Sequence, residues 1–449
     1  MNPMERNDAV KVGMISLGCN KNQVDAELML GSLAREGFVI SDDQDDCDVI
    51  IVNTCGFIES AKKESIENIL ECCRLKEQGK IKLVVVTGCL AERYRDEVAQ
   101  LIPEADVILG IGANDEIASA IRTALSGKKI ACFYAPENLV TEGDRILVND
   151  PHYAYIRIAD GCDNRCAYCA IPMIRGRYRS RSMDKILAEC SELAEKGVKE
   201  FIIIAQDTTR YGVDIYGKRM LPELLRAICR IDGVKWVRLL YAYPERVTEE
   251  LLDVFAEEEK MVKYIDIPLQ HCNGEVLKNM NRRGNRESLT ALLNKIKAKI
   301  PNVIFRSTFI TGFPGETEEQ FEELADFAAE IKFQRLGCFP YSKEEDTKAF
   351  LMENQIDDDI KQKRADIIME HQQSVMAEYC ESLIGSEVEV LVEGYDKLAE
   401  CFFGRTYADA PEVDGCVFFT CNGEKPKAGD FVKVKINDYM GCDPVGERV

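Results

Sequence analysis

The sequence predicts a multi-domain α/β protein: an open parallel βαβ sheet, then a run of six βα units, then a small antiparallel β-barrel. Three observations carry this reading. At 449 residues the chain exceeds one ordinary domain. Apolar, β-rich runs alternate with helix-like segments through most of its length, the pattern of parallel sheets. The last stretch instead carries short alternating runs punctuated by Gly and Pro. The expected divisions are 11–127, 150–372 and 373–443.

In the first division the strand-like runs are VGMISL (12–17), VIIVN (49–53) and KLVVVT (82–87), with helix-like segments at 23–35 and 58–75 between them. Each run ends in a cysteine: Cys19 in LGCNKN, Cys55 in NTCGF and Cys89 in TGCLAE. Ligands of such sheets sit beyond the carboxyl ends of the strands. One thiol there reads as structural, but three in equivalent places point to a metal cluster. Gly18, Gly56 and Gly88 beside them allow tight turns or close approach of the backbone. Cys47, Cys72, Cys73 and Cys132 lack this placement and read as packing or surface thiols.

The second division opens on a strand-like run, 153–158, followed by YIRIADGCDNRCAYCAIP (155–172). Cys162, Cys166 and Cys169 form a C-x3-C-x2-C triplet. Three thiolates on one loop can hold three irons of a cubane and leave the fourth open to a small molecule. The competing readings are a zinc knuckle, although zinc favours paired C-x2-C units, and plain buried thiols. Five further strand-like runs follow at 201–206, 236–243, 263–269, 303–310 and 333–339, separated by helix-like segments. Polar residues stand at their carboxyl ends: Gln206 and Asp207, Gln270 and His271, and TGFPGE (311–316) with Gly312 and Gly315. In βα barrels this end holds the active site; ordinary loop polarity and turn glycines are the other reading. RGRYRSR places Arg175, Arg177, Arg179 and Arg181 just after the triplet, as a solvated face or as carboxylate-binding forks.

The third division has alternating runs at 387–392, 401–408, 415–420 and 431–436. From residue 373 onward it carries 15 Asp and Glu against 7 Lys and Arg. Phosphate binding requires basic residues, so this charge opposes a nucleic-acid surface. Phe402, Phe403, Tyr407, Phe418 and Phe419 read as core rather than as stacking platforms. The whole chain is also acidic, with 57 basic and 78 acidic residues and a net charge of −21, which favours a basic protein partner, or solubility alone. No apolar run reaches the roughly 18 residues of a membrane span, and the start MNPMERNDAV lacks a signal-like apolar region, so a cytoplasmic location is expected. There the 19 cysteines would remain thiols, available to clusters and metals.

The triplet, with Tyr168 just before its third cysteine, resembles the radical S-adenosylmethionine (SAM) superfamily. That resemblance implies a partial, TIM-like (βα)6 barrel and a 4Fe-4S cluster on Cys162, Cys166 and Cys169 that binds SAM and splits it to a 5'-deoxyadenosyl radical. By the barrel rule Gln206, Asp207, Gln270 and Gly312 would then face SAM or the substrate, and Tyr168 joins them as a cofactor-binding candidate. With a three-cysteine domain in front, the chain looks like a methylthiotransferase, which implies a second 4Fe-4S cluster on Cys19, Cys55 and Cys89, a TRAM-like last domain, and a reductant protein of flavodoxin or ferredoxin type. Of the two branches, GCNKNQVDAE, NTCGFIESAKKESI, YAYPE and IDIPLQH look like the RimO type. That branch implies methylthiolation of an aspartate β-carbon in small-subunit ribosomal protein twelve; the other acts on N6-isopentenyladenosine in tRNA. A reading from another class is a non-catalytic iron-sulfur electron-transfer or scaffold protein, which the βα pattern around the triplet opposes.

Overall fold

The computed structural model describes residues 9–449, so most of the start read above lies outside the described residues. The first sheet is wholly parallel, in the order β2-β1-β3-β4-β5-β6. Its strands are β1 (Lys11–Ser16), β2 (Val39–Ile40), β3 (Val49–Thr54), β4 (Leu83–Gly88), β5 (Val107–Leu109) and β6 (Ile130–Cys132). The helices are α1 (Asn20–Arg35), α2 (Glu59–Glu77), α3 (Cys89–Leu101) and α4 (Ile117–Leu125). The three long strands are those read from sequence; β2, β5 and β6 span only two or three residues, too few to show a pattern. β3 and β4 are buried throughout, which is why VIIVN and VVVT are unbroken apolar runs rather than alternating ones.

The second sheet has six parallel strands in order β7-β10-β11-β12-β13-β14 and stays open at both edges. They are β7 (Tyr153–Arg157), β10 (Glu200–Ile204), β11 (Trp236–Leu239), β12 (Met261–Asp266), β13 (Ile304–Thr311) and β14 (Arg335–Pro340). A two-stranded ribbon of β8 (Ala159–Asp160) and β9 (Arg179–Ser180) brackets the short helix α5 (Ile171–Arg175). The helices that follow are α6 (Met183–Glu195), α7 (Val213–Tyr216), α8 (Leu221–Cys229), α9 (Glu249–Glu257), α10 (Gly274–Asn279), α11 (Arg286–Lys299) and α12 (Glu318–Ile331). Alternate side chains divide between the two faces. Ala154, Ile156, Phe201, Ile203, Val237, Leu239 and Phe305 pack under the helices. Tyr153, Tyr155, Ile202, Ile204, Val262, Tyr264 and Ile304 point to the other face, where Val24 and Leu28 of α1 and Ala408 and Ala410 of the third division cover them.

Helix α13 (Asp358–Leu383) leads to a closed five-stranded barrel, β15-β16-β17-β19-β18. These strands are β15 (Glu387–Asp396), β16 (Cys401–Arg405), β17 (Val417–Thr420), β18 (Phe431–Met440) and β19 (Asp443–Arg448). Four of the pairings are antiparallel and closure is made by the parallel pair β17 and β19. The β19 segment, DPVGER, carries a proline, a glycine and three charges, so it does not read as a strand. Phe402 and Phe419 stack in the barrel core at 5.6 Å, while Phe403 and Phe418 are half-buried.

Buried charges fix the divisions on one another. Asp25 of α1, Arg157 of β7, Asp160 of β8 and Arg175 of α5 form an alternating ring, each at most 1% exposed at the side chain, with Arg175 2.7 Å from Asp25 and 2.9 Å from Asp160. Burial alone would raise the Asp160 carboxyl, but Arg175 and Arg157 hold it below the usual carboxylate range. A second chain runs from Glu27 of α1 through Arg145 and Glu189 to Arg181. At the barrel, Arg405 meets Glu200 at 2.8 Å, and Trp236 meets Phe431 edge to face at 4.9 Å. Among the described residues no helix is long and apolar enough to cross a membrane. Removing one partner of a buried pair costs about 3–5 kcal/mol, because the survivor stays charged and unpaired. Arg157→Met should therefore lower the unfolding free energy by about that amount in denaturant titration, whereas Arg177→Met, whose partner pair is largely exposed, should change it by less than about 1 kcal/mol.

Candidate active site at two cysteine triads

The first triad is built by strand ends. Cys19 follows β1 and caps α1, Cys55 follows β3, and Cys89 follows β4 and opens α3. The amino ends of α1 and α3, where unpaired N–H groups favour negative charge, thus both point to the triad. Close packing of the loops depends on two glycines: a Cβ on Gly18, which sits at φ +91°, would lie 2.8 Å from the Cys55 sulfur, and one on Gly56 would lie 2.7 Å from the Leu90 Cα. Asn22 ties the loop down by donating to the carbonyls of Leu17 at 2.7 Å and of Asn53 and Thr54 at 3.3 Å. Burial pushes the Cys55 thiol to about 11, with Cys19 adding repulsion. Burial pushes Cys89 to about 12, against the opposing pull of Arg175, whose guanidinium donates toward the Cys89 sulfur at 3.6 Å.

The second triad lies on the loop after β8. Cys162 is raised to about 11 by burial, with Cys166 adding repulsion, and Cys169 is raised by burial and by Cys166. Tyr243 places its hydroxyl 2.9 Å from the Cys166 sulfur. Arg282 stacks 4.0 Å over the Tyr243 ring, and Asn281 donates to the Arg165 carbonyl at 2.9 Å. The triads adjoin: α5 begins two residues after Cys169, and Ala170 and Ile174 pack directly on Cys89. From the other side, Arg93 of α3 reaches Glu344 beyond β14 at 2.7 Å.

The other residues read from sequence divide. Gln206 lies two residues beyond β10 with its side-chain oxygen buried and without a partner. Asp207 is buried and occupied: it pairs with Arg246 and accepts from Asn164 of the cluster loop at 2.9 Å. Tyr168 packs among Ala167, Val276, Met280 and Phe313 beneath that loop, and burial raises its phenol. Gln270, at φ +72°, bridges to β13 through its backbone. Gly312 donates its N–H to Glu316 at 2.9 Å and lies against Lys361, where a Cβ would come within 2.1 Å of the side chain. Of the four arginines, Arg175 and Arg181 are buried in ion pairs, Arg179 is partly exposed and Arg177 is exposed. Asp25, Arg157, Asp160 and Tyr243 escaped the sequence reading; Asp25 and Tyr243 lie within GCNKNQVDAE and YAYPE, but nothing local marks them as partners of distant residues.

With this geometry described, comparison with known proteins is informative. Residues 11–110 match the uncharacterized protein family UPF0004, 156–328 the radical SAM superfamily, and 384–449 the TRAM domain. The chain is 49% identical over 437 residues to the ribosomal protein uS12 methylthiotransferase RimO of Thermoanaerobacter sp., covering 97% of this chain and 99% of that one. It is 46% identical to the protein of the same name from Clostridium tetani, covering 97% and 98%. The chain belongs to the RimO family of radical SAM methylthiotransferases. Membership in the radical SAM superfamily implies SAM and a 4Fe-4S cluster. Fold likeness extends to the radical SAM methyltransferase TsrM of Kitasatospora setae, with a TM-score of 0.56 at 15% identity, covering 86% of this chain and 79% of that one.

Beside Gln270, His271 is fully buried, and burial, reinforced by Arg364, pushes its imidazole down to about 3. A depressed histidine stabilises the fold fully above its unfolded value of about 6.5, and that contribution is lost as pH falls toward 3. Unfolding free energy should therefore drop by about 1.4 kcal/mol per pH unit below about pH 6 on account of this residue. His271→Gln should remove that slope in denaturant titrations between about pH 4 and 6.

Proposed function

We propose that the chain methylthiolates ribosomal protein uS12 at the β-carbon of an aspartate. One triad would hold the cluster that binds SAM for cleavage and the other a second 4Fe-4S cluster that carries the sulfur. The observation that carries this is the adjacency of two three-thiol sites across α5, one on each side of the Cys89 contact. The donor sets fit such clusters: three soft sulfur donors at each site, while the nearby carboxylates Asp25, Asp163 and Asp207 are engaged by arginines of the protein. Each thiolate of a cubane binds a different iron, so the sulfurs surround a cluster and do not converge on one ion. Among the described residues no group of three His, Cys, Asp or Glu side chains converges as a single-ion site.

When bound, the clusters and SAM supply a radical able to take hydrogen from an unactivated carbon, and a methylated sulfur to place there. The chain's own residues position these groups. With Cys166 ligating as a thiolate, the Tyr243 hydroxyl 2.9 Å away would donate to its sulfur, a contact of the kind that raises cluster potential. Arg175 places positive charge beside Cys89. Asp207, Asn164 and Arg246 brace the cluster loop, and the unpartnered Gln206 oxygen offers SAM an acceptor. Residues 11–127 would carry the sulfur cluster and 150–372 the radical chemistry. The barrel, 373–443, would steer a basic protein: even along β18, where Lys433 and Lys435 are exposed, Glu389 and Glu387 of β15 stand in register with them, so acidic residues interrupt the basic ones. A flavodoxin- or ferredoxin-type protein would supply electrons.

Anaerobic reconstitution with reductant, SAM, and either uS12 or tRNA tests the reading by mass spectrometry. A methylthio group on one aspartate of uS12 is expected; one on adenosine overturns the substrate. Cys19, Cys55 and Cys89 replaced together by Ala should leave 5'-deoxyadenosine formation within about threefold of native and abolish methylthiolation. Loss of both would mean that the first triad is structural.

A further inference from the structure

Lys21 is 6% exposed, yet among the described residues its ammonium has no carboxylate within salt-bridge distance and no hydrogen bond. Its one polar neighbour is the face of the Tyr241 ring, 2.9 Å from the centroid. The stem of the side chain is buried while the ammonium keeps contact with solvent, so cation–π attraction holds it in place without neutralising its charge. The Tyr241 ring is itself held firmly. Its hydroxyl lies 3.0 Å from Asn20 Oδ1, its N–H donates to Asp266 at 2.9 Å, and its backbone sits at φ +62°, a strained conformation for a bulky residue. A largely buried lysine whose ammonium keeps contact with solvent, has no protein partner and stands over a rigid, strained aromatic is a site prepared for an anion.

Its place in the chain says which anion. Lys21 stands two residues beyond Cys19 of the first triad, and Tyr241 stands two residues before Tyr243, whose hydroxyl meets Cys166 of the second. The Lys21–Tyr241 contact thus joins the segment that carries Cys19 to the segment that carries the Tyr243 neighbour of Cys166. We propose that the Lys21 ammonium binds the carboxylate of the target aspartate and so sets specificity for an acidic side chain. The carboxylate carbon is bonded directly to the β-carbon, so fixing the first fixes the second. This rests on the uS12 reading above and adds to it the group that recognises the acceptor. A neutral base such as adenosine offers no anion to this cation.

The test uses the reconstituted holoenzyme with SAM and no reductant, so that binding is read without turnover. The probes are a synthetic uS12 segment containing the target aspartate and the same segment with that residue as asparagine, followed by fluorescence anisotropy. The native enzyme should prefer the aspartate segment by about tenfold to a hundredfold, the range for a hydrogen bond to a charged group. In Lys21→Met the two segments should bind within about twofold of each other, while Lys21→Arg should keep most of the preference. Iron content reports whether each variant folds around its clusters. Unchanged discrimination in Lys21→Met overturns the assignment. So does a loss of SAM affinity with discrimination intact, which would assign the ammonium to the cofactor. If the native enzyme binds neither segment, the uS12 reading falls and this assignment with it; if it binds both equally, only the assignment falls.

Discussion

Two carboxylates on one helix hold the two chemistries in register. Asp25 and Glu27 of α1 are both buried, and each begins an alternating run of acid and base that passes into the central division, through Arg157, Asp160 and Arg175 in one case and Arg145, Glu189 and Arg181 in the other. Apolar packing could hold the divisions together as tightly, since burying ion pairs gains little net free energy over hydrophobic residues of similar volume. What the charges add is a single geometry. A hydrophobic face tolerates sliding, whereas a guanidinium between two carboxylates has one satisfied position. A reaction that moves a group between two sites requires that fixed spacing.

The same ring also reaches the chemistry. Arg175 satisfies Asp25 and Asp160 with two of its nitrogens, and from that anchored position one of them faces the Cys89 sulfur. Its charge beside the Cys89 sulfur is held against strong burial by the two carboxylates, whose attraction raises the guanidinium further from deprotonation. The element that follows the second triad in sequence thereby modulates the first triad in space. The two triads are tied covalently through α5 on one side and electrostatically through Arg175 on the other.

Much of this was legible in the sequence, and the exceptions have a common cause. Long strands announced themselves because VIIVN and KLVVVT are apolar runs too regular to be loops, and the six βα units followed from the same signal. The positions of Cys19, Cys55 and Cys89 at strand ends were legible once those strands were. The two- and three-residue strands were not, because periodicity needs length, and DPVGER closes a barrel by backbone pairing that its side chains do not advertise. Asp207 read as a free polar residue at a strand end, while the structure shows its carboxylate engaged by Arg246 and Asn164. Whether a polar residue is free or occupied depends on partners dozens of residues away, and that information is not local.

Occupancy separates Lys21, together with Arg282, which meets only the Pro268 carbonyl and the Tyr243 ring, from most of the other buried cations. Arg157, Arg175, Arg238 and Arg405 are as deeply buried, yet each meets a carboxylate of the protein. These pairs cancel charge within the fold and leave it neutral where the divisions meet. Lys21 is on the same helix as Asp25 and Glu27, in its first turn, and is left without such a partner while they are fully engaged. Arg282 lies over Tyr243 beside the second triad, whereas the Lys21 ammonium lies over the strained Tyr241 without a carboxylate of the protein, and so has charge to offer to a group that arrives from outside. An acidic surface would draw a basic protein in without specifying which side chain is to react; a positive charge held at one place over Tyr241 would carry that information.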